Sequence, residues 1–194
     1  MNGKPRMEIF IDLNNIEQGV RDYRYYGVSV DYRELANIVS KGYEVVGMHV
    51  YDGKPEDGKP ETVSLHQVLR EQGFEVTELE CSVHVSEYGT HYHQKEVDTS
   101  MTVDIVETVC GGLCNCIVIM SGDRDFRPSV ISAKTRGIQA MVVSTKGSLS
   151  EELRKEADDV VLIDDLPVFS FREADSSWDV RSSHNVEKVF ADVC

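Results

Sequence analysis

The sequence predicts an α/β domain of three layers, in which a central and mainly parallel sheet carries helices on both faces. Short apolar runs, such as residues 9–11 and 117–120, are bounded by polar or turn residues, as buried parallel strands are. Segments with helical apolar spacing alternate with these runs along the chain, and this alternation is typical of a sheet covered on both sides. The chain of 194 residues fits one domain, which we place at residues 7–165.

The strands and helices are assigned in chain order from apolar spacing and from turn residues. Strands are predicted at residues 7–12, 44–51, 74–86, 116–120, 138–143 and 160–163. Helices are predicted at residues 31–41, 62–72, 97–109 and 128–136, after Ser148 or Ser150, and as an irregular or short segment at 16–27. The caps predicted for the first and the last of the regular helices are Asp31 or Ser29 and Ser148 or Ser150. Residues 55–60 and the histidine-bearing residues 87–95 are predicted loops.

The end of the chain differs from the rest in composition. Residues 166–194 are polar and contain the only tryptophan, Trp178. We expect a C-terminal tail that is partly helical, around residues 186–193, or flexible.

Composition excludes several classes of protein. The net charge is −14, from 20 Lys and Arg against 34 Asp and Glu, which argues against a broad electrostatic grip on nucleic acid but leaves local contacts open. No stretch approaches the ~20 apolar residues that span a bilayer, so no membrane partner is expected. The five cysteines are an odd number in a chain of ordinary size, which favours a reducing cytoplasm over a disulfide framework.

A zinc site built from cysteine and histidine is disfavoured by spacing. The candidates do not form the paired C-x₂-C pattern of common zinc sites. These candidates are Cys110, Cys114, Cys116, His91 and His93.

Aspartates stand directly after apolar runs in two places and near the start of a helix in a third. Asp12 follows residues 9–11, Asp98 opens the helix at 97–109, and Asp123 with Asp125 follows the run that ends at Met120. Ligands of open α/β sheets bind beyond the carboxyl ends of the strands. Carboxylates gathered there repel one another, and Mg²⁺ or Mn²⁺, which prefer oxygen ligands, relieve the repulsion.

This pattern predicts a metal site held by Asp12, Asp98 and Asp123. Each aspartate alone is more often a polar strand end or a helix cap than a catalytic residue, and it is the combination that predicts the metal site. Asp104 lies ~9 Å along the helix from Asp98 and about 120° around it. It is either a ligand acting through a water molecule or an exposed acid.

Several neighbouring residues are candidates for contacts with a substrate. Asn14 suits a phosphate oxygen or a nucleophilic water, Ser121 a hydroxyl contact and Lys95 a phosphate contact. Arginines interleaved with tyrosines between residues 21 and 26 suit single-stranded RNA, although the tyrosines are also compatible with packing on the sheet edge. The substrate-binding candidates are Asn14, Asn15, Lys95, Ser121, Arg24 and Arg124.

Three separated segments share one recognisable pattern: residues 9–15 (IFIDLNN), residues 95–98 (KEVD) followed by Asp104, and residues 121–126 (SGDRDF). In this order they resemble the signatures of the NYN domain family, and within it the LabA-like branch. The resemblance covers residues 7–165 and departs from the family at Glu96, where a glycine is common. It implies the PIN-like nuclease fold, with Asp12, Asp98 and Asp123 as the core acids and Asp125 as a fourth.

The function that the resemblance implies is a metal-dependent ribonuclease that uses Mg²⁺ or Mn²⁺, with RNA as its partner. A homodimer is compatible with the sequence. One alternative is a non-catalytic regulatory module that binds RNA or protein. A phosphatase of the haloacid dehalogenase type is less favoured, because the second acid that such enzymes need two residues after the nucleophile is replaced by Asn14.

Overall fold

A computed structural model of the chain describes residues 3–23, 28–54, 60–80, 82–86, 89–93 and 95–171. The strands are β1 Arg6–Asp12, β2 Val28–Val30, β3 Glu44–Gly53, β4 Glu75–Leu79, β5 Ser82–Ser86, β6 Gly89–His93, β7 Cys116–Met120, β8 Gln139–Ser144, β9 Asp159–Leu162 and β10 Phe169–Phe171. The helices are α1 Leu13–Tyr23, α2 Tyr32–Val39, α3 Pro60–Glu71, α4 Lys95–Gly111, α5 Arg127–Lys134 and α6 Glu151–Glu156.

Six strands form one parallel sheet in the order β4-β3-β1-β7-β8-β9. The two central strands are β1 and β7; every residue of β7 is buried, and in β1 all residues except Arg6 are buried. A strand in the middle of a parallel sheet is covered on both faces and therefore reads as a continuous apolar run. The predicted fold class is confirmed.

The core lies in two halves, one on each face of the sheet. Successive side chains of a strand point to opposite faces, so Ile9 and Ile11 pack with α1 and α2, whereas Phe10 packs with α4 and α5. All three side chains are almost fully buried. The sheet is thus the middle of three layers, as the alternation of strands and helices predicts.

Two helix starts follow the predicted capping chemistry. The Asp31 carboxylate accepts a hydrogen bond from the backbone N–H of Glu34 at 2.9 Å and begins α2. Ser150, rather than Ser148, caps α6 through the N–H of Leu153 at 3.4 Å. Side-chain oxygens at such positions satisfy N–H groups that the first helical turn leaves without a partner.

The region before α4 differs from its prediction. The single strand expected at residues 74–86 is two strands, because only β4 joins the main sheet and β5 leaves it. The loop expected at residues 87–95 was wrong for residues 89–93, which form β6 and pair antiparallel with β5. The polar composition concealed a strand that pairs with its own neighbour outside the main sheet.

The chain beyond residue 165 contributes to the fold as far as Phe171. There β10 pairs antiparallel with β2 in a separate two-stranded ribbon, and neither strand was predicted. Residues 172–194, with Trp178 and the helix expected around 186–193, lie outside the described residues. Within the part of the chain that the structure describes, no helix is long and apolar enough to cross a membrane.

Candidate metal and nucleic-acid site

The carboxyl edge of the sheet brings the four predicted aspartates into one electrostatic environment. Asp12 is the last residue of β1, and Asp98 lies in the first turn of α4. Asp123 caps a single 3₁₀ turn after β7, and this turn contains Asp125. The charges of Asp123 and Asp125 contribute, after burial, to a raised pKa of Asp98. The topology therefore assembles residues that are 111 positions apart in sequence, from Asp12 to Asp123.

Asp12 is the most perturbed of these acids. Its side chain is almost fully buried, with 5% of the residue exposed. Burial is the main cause that raises the pKa of Asp12 to about 7, and the charges of Asp98 and Asp123 add to it. Hydrogen bonds from the N–H of Asn15 and the hydroxyl of Ser121 act in the opposite direction. Near neutral pH this carboxyl therefore lies between its two protonation states, and a nearby cation would favour the charged one.

Hydrogen bonds lock the segment after β1 to the segment after β7. The Ser121 hydroxyl donates to Oδ2 of Asp12 at 3.2 Å and accepts from the N–H of Asp123 at the same distance. The Gly122 N–H donates to Oδ1 of Asn15 at 2.9 Å. The contacts of Ser121 and Asn15 are thus with the protein itself, and they fix the relative positions of Asp12 and Asp123.

The turn at Gly122 is closely packed from behind. A Cβ atom built on Gly122 would overlap the carbonyl of Ser148 and lie 2.7 Å from Oγ of Ser144. The Ser150 N–H donates to the carbonyl of Gly122 at 2.9 Å. Only glycine fits this position without a backbone shift, so the segment after β8 supports the turn that carries Asp123.

Asp104 is attached to β3 rather than to the other acids. The Tyr51 hydroxyl donates to Oδ2 of Asp104 at 2.6 Å, and Tyr51 is paired with Asp12 in the register of β1 and β3. Burial, followed by the contact with Asp104, raises the pKa of Tyr51. Asp104 thus ties α4, the helix of Asp98, to the strand beside Asp12.

The remaining predicted contacts are distributed around this edge. Asn14 is half-buried in the first turn of α1, and Arg124 is exposed between Asp123 and Asp125. Lys95 begins α4, but its side chain is outside the described part of the structure, as is the whole of Arg24.

The donor chemistry of the site fits Mg²⁺ or Mn²⁺. Asp12, Asp98 and Asp123 offer carboxylate oxygens, which these ions prefer, and no thiol or imidazole is among them. Among the described residues, no three acid, histidine or cysteine side chains are already arranged as a metal cage. Mg²⁺ commonly uses only one or two carboxylates and keeps several waters. The arrangement therefore fits an ion that keeps several of its waters rather than a complete protein cage.

Comparisons with known proteins agree with this architecture. The NYN domain family model matches residues 6–164. The chain belongs to the NYN domain family. This family includes nucleases, and the resemblance noted in the sequence is confirmed.

Two relatives extend over most of the chain. The low amplitude and bright protein LabA of Synechococcus elongatus is 27% identical over 170 residues, which cover 84% of this chain and 87% of LabA. The crystal structure of a protein of unknown function from Vibrio parahaemolyticus aligns with a TM-score of 0.70 at 25% identity. That alignment covers 85% of this chain and 98% of the other. Both are similar to this NYN protein along nearly the whole domain.

Some residues that shape the site carry no signal in the sequence. Tyr51 contacts a residue 53 positions away, and Gly122 is constrained by the segment around Ser148. Local periodicity reports which face of an element is buried, but it does not report contacts between distant segments. The aspartates were found because each follows an apolar strand or starts a helix, whereas their supports have no such marker.

Proposed function

We propose that this NYN protein is a metal-dependent ribonuclease that hydrolyses phosphodiester bonds of single-stranded RNA with Mg²⁺ or Mn²⁺. The observation that carries the proposal is the mutual electrostatic influence of Asp12, Asp98 and Asp123 at the carboxyl edge. None of the ion pairs between described side chains involves these acids. Buried or crowded carboxylates that have no partner cation favour binding of a divalent ion.

In this proposal, Asp12, Asp98 and Asp123 hold the ion, and Ser121 orients the Asp12 carboxylate through its hydroxyl. When bound, the ion would lower the pKa of a coordinated water and polarise the scissile phosphate. Asn14 orients a phosphate oxygen or the attacking water, and Asp125 acts as a further acid beside Asp123. Attack by water on phosphorus, with loss of the 3′ oxygen of the preceding nucleotide, yields a 5′-phosphate and a 3′-hydroxyl.

The charge of the chain restricts how RNA is bound. At a net charge of −14, the protein has no general attraction for a polyanion, so binding depends on a few local cations. Arg124 is exposed beside Asp123 and suits a phosphate of the RNA backbone. Arg24 and Lys95 are further candidates from the sequence. Few phosphate contacts predict a shallow dependence of RNA affinity on salt.

The test is cleavage of a labelled single-stranded RNA with Mn²⁺ or with Mg²⁺, beside a reaction containing EDTA. Asp123→Asn removes one carboxylate of the cluster and is expected to abolish cleavage. The matched control is Asp165→Asn, since Asp165 is exposed, is paired with Lys146 and is not among the groups whose charge perturbs Asp12 or Asp98. Cleavage that needs metal and Asp123 but not Asp165 would support the proposal.

A non-catalytic module would give a different result. It would bind RNA without cutting any of a set of unrelated RNAs, and Asp123→Asn would change that binding little. This result would reject the nuclease proposal for the isolated protein.

A further inference from the structure

A buried histidine lies between two carboxylates near the carboxyl ends of β3 and β4. It has no part in the chemistry proposed above. His66, on α3, is 1% exposed. Its Nε2 is 2.9 Å from Oδ2 of Asp52, and its Nδ1 is 3.0 Å from Oε1 of Glu78. A carboxylate only accepts, so both ring nitrogens must carry a proton to make both contacts. With both carboxyl groups ionised, the two contacts fit the charged imidazolium.

The charged groups around His66 balance one another. The guanidinium of Arg70, also on α3, lies 2.6 Å from Oε1 of Glu78. Asp52 comes from β3 and Glu78 from β4, and the charge of Asp52 also reaches Tyr32 on α2. The hydrogen bond to Asp52 is the main cause that raises the pKa of His66; burial opposes it and Glu78 adds to it.

The position of Asp52 connects this network to the aspartates. Asp52 follows Tyr51 on β3, and adjacent side chains of a strand point to opposite faces of the sheet. Asp52 ties the carboxyl end of β3 to α3, whereas Tyr51 ties it to Asp104 on α4. Since Tyr51 is paired with Asp12 in register, the end of β3 is held from both faces directly beside Asp12.

We propose that His66 is a positioning residue for the acidic site: its imidazolium fixes the end of β3 and thereby, through Tyr51 and Asp104, the placement of Asp98 relative to Asp12. The effect on metal binding rests on the proposed function, because a bound ion would depend on the placement of Asp98 relative to Asp12. Residues that orient ligands from behind typically change metal affinity by about 10- to 100-fold when they are removed.

The positioning is expected to depend on pH in a defined direction. A histidine whose pKa is raised in the folded protein contributes its stabilisation fully below about 6.5, its ordinary pKa. It loses this contribution as pH rises through the higher, folded value. Above that value the neutral ring donates only one hydrogen bond, so the contact with Asp52 or the contact with Glu78 is lost and α3 holds the ends of β3 and β4 less firmly.

The experiment follows the backbone amide signals of Asp12 and Asp98 by NMR during a pH titration of the metal-free chain. Apart from the transition of the Asp12 carboxyl, whose own pKa is about 7, we expect both signals to show a transition that coincides with that of the imidazole signal of His66, and His66→Gln to remove only this second transition. Lys155→Gln, an exposed charge on α6, is the matched control and should leave the transition in place. Amide signals of Asp12 and Asp98 that ignore the titration of His66 would overturn the inference.

A second variant covers the case in which His66→Gln does not fold. Tyr51→Phe keeps the buried ring and removes only the hydroxyl that contacts Asp104. It should shift the amide signal of Asp98 and uncouple it from His66, while the signal of Asp12 still follows the titration. Unchanged coupling of Asp98 in this variant would reject the proposed connection.

The same proteins separate this inference from the proposed function. Mn²⁺ affinity, measured by calorimetry, should fall about tenfold in His66→Gln if the wild-type chain binds the ion. A wild-type chain that binds no Mn²⁺ and cuts no RNA would reject the ribonuclease proposal, while the amide signals would still decide whether His66 positions Asp98. Equal Mn²⁺ affinity in both proteins would overturn the inference alone.

Discussion

The carboxyl and amino edges of the central sheet differ in how far their polar groups are paired within the protein. At the carboxyl edge, carboxylates lie near other carboxylates. The charges of Asp98 and Asp123 help to raise the pKa of Asp12, and none of these three acids has a paired cation among the described residues. At the amino edge, polar side chains form hydrogen bonds with one another. There the Tyr43 hydroxyl donates to Oε1 of Gln139 at 2.7 Å, and Nε2 of Gln139 donates to Asp159 at 2.6 Å.

The amino edge is satisfied within the protein itself. Asn115 exchanges hydrogen bonds with the backbone of Arg6 in both directions at 2.8 Å. Burial raises the pKa of the Cys116 thiol to about 12 and that of Cys114 to about 11, so both stay neutral. Polar groups are thus paired at this edge and at the carboxyl end of β3, whereas the ends of β1 and β7 and the start of α4 bring carboxylates together without a cation among the described residues. A cation is expected to bind where the fold leaves negative charge without a paired positive group.

The largest expected difference between the edges is in cleavage. Asp98→Asn should slow RNA cleavage by about a hundredfold or more, because a lost ion ligand removes several kcal/mol of transition-state stabilisation. Asp159→Asn changes the same residue type at the amino edge and should stay within about twofold of the wild-type rate. Initial rates of both variants under saturating Mn²⁺ make the comparison. Equal losses would show that the two edges do not differ in function.

The second difference is in stability, and it depends on pH. The pKa of Asp12 is raised from 3.8 to about 7, so the folded state binds this proton more tightly than the unfolded state. The wild type therefore loses stability as pH rises from about 4 through 7, by no more than about 4 kcal/mol. Asp12→Asn removes this loss, and the metal-free variant should be the more stable protein at about pH 8.

Urea unfolding in EDTA at about pH 5 and about pH 8 measures this effect. Asp159→Asn is again the control, since the side chain is exposed at the amino edge. Parallel pH dependence in Asp12→Asn and the wild type would contradict the claim that Asp12 carries uncompensated charge.

A smaller effect is expected from the support behind the acids. Gly122→Ala places a methyl group against the carbonyl of Ser148, and overpacking of this kind costs about 1–3 kcal/mol. Because the displaced turn carries Asp123, Mn²⁺ affinity should fall as well. Gly3→Ala is the control, since nothing lies within 4 Å of a Cβ built there. Thermal unfolding that is unchanged in Gly122→Ala would show that the turn relaxes freely.

The smallest effect concerns thiol chemistry at the amino edge. The exposed Cys110 should be alkylated faster than the buried Cys114 and Cys116, because the thiolate is the reactive form and burial disfavours it. Site-resolved mass spectrometry after brief treatment with iodoacetamide measures the three rates. Rapid modification of Cys116 in the folded protein would show that this edge is more open than the structure indicates.

The parts of the fold that were predicted from sequence are those with strong local signals. The run from Cys116 to Met120 is apolar throughout, and β7 has those bounds. Asp31 precedes a helix with apolar spacing and caps α2. Asp12, Asp98 and Asp123 follow or open such elements, so strand and helix prediction placed them at one edge.

The parts that were missed depend on contacts between distant segments. The β2 and β10 strands have three residues each, and they stabilise one another across more than 130 positions of sequence. The contacts of His66 come from residues 14 positions before it and 12 after it, on two different strands. Neither periodicity nor spacing reports these pairings, because they arise only when the sheet is assembled.

The most direct test of the central claim is the crystal structure of the protein grown with Mn²⁺, with anomalous scattering used to locate the ion. We expect an anomalous peak about 2.1 Å from carboxylate oxygens of at least two of Asp12, Asp98 and Asp123. An anomalous map with no peak at these carboxylates, or with Mn²⁺ bound only elsewhere, would contradict it.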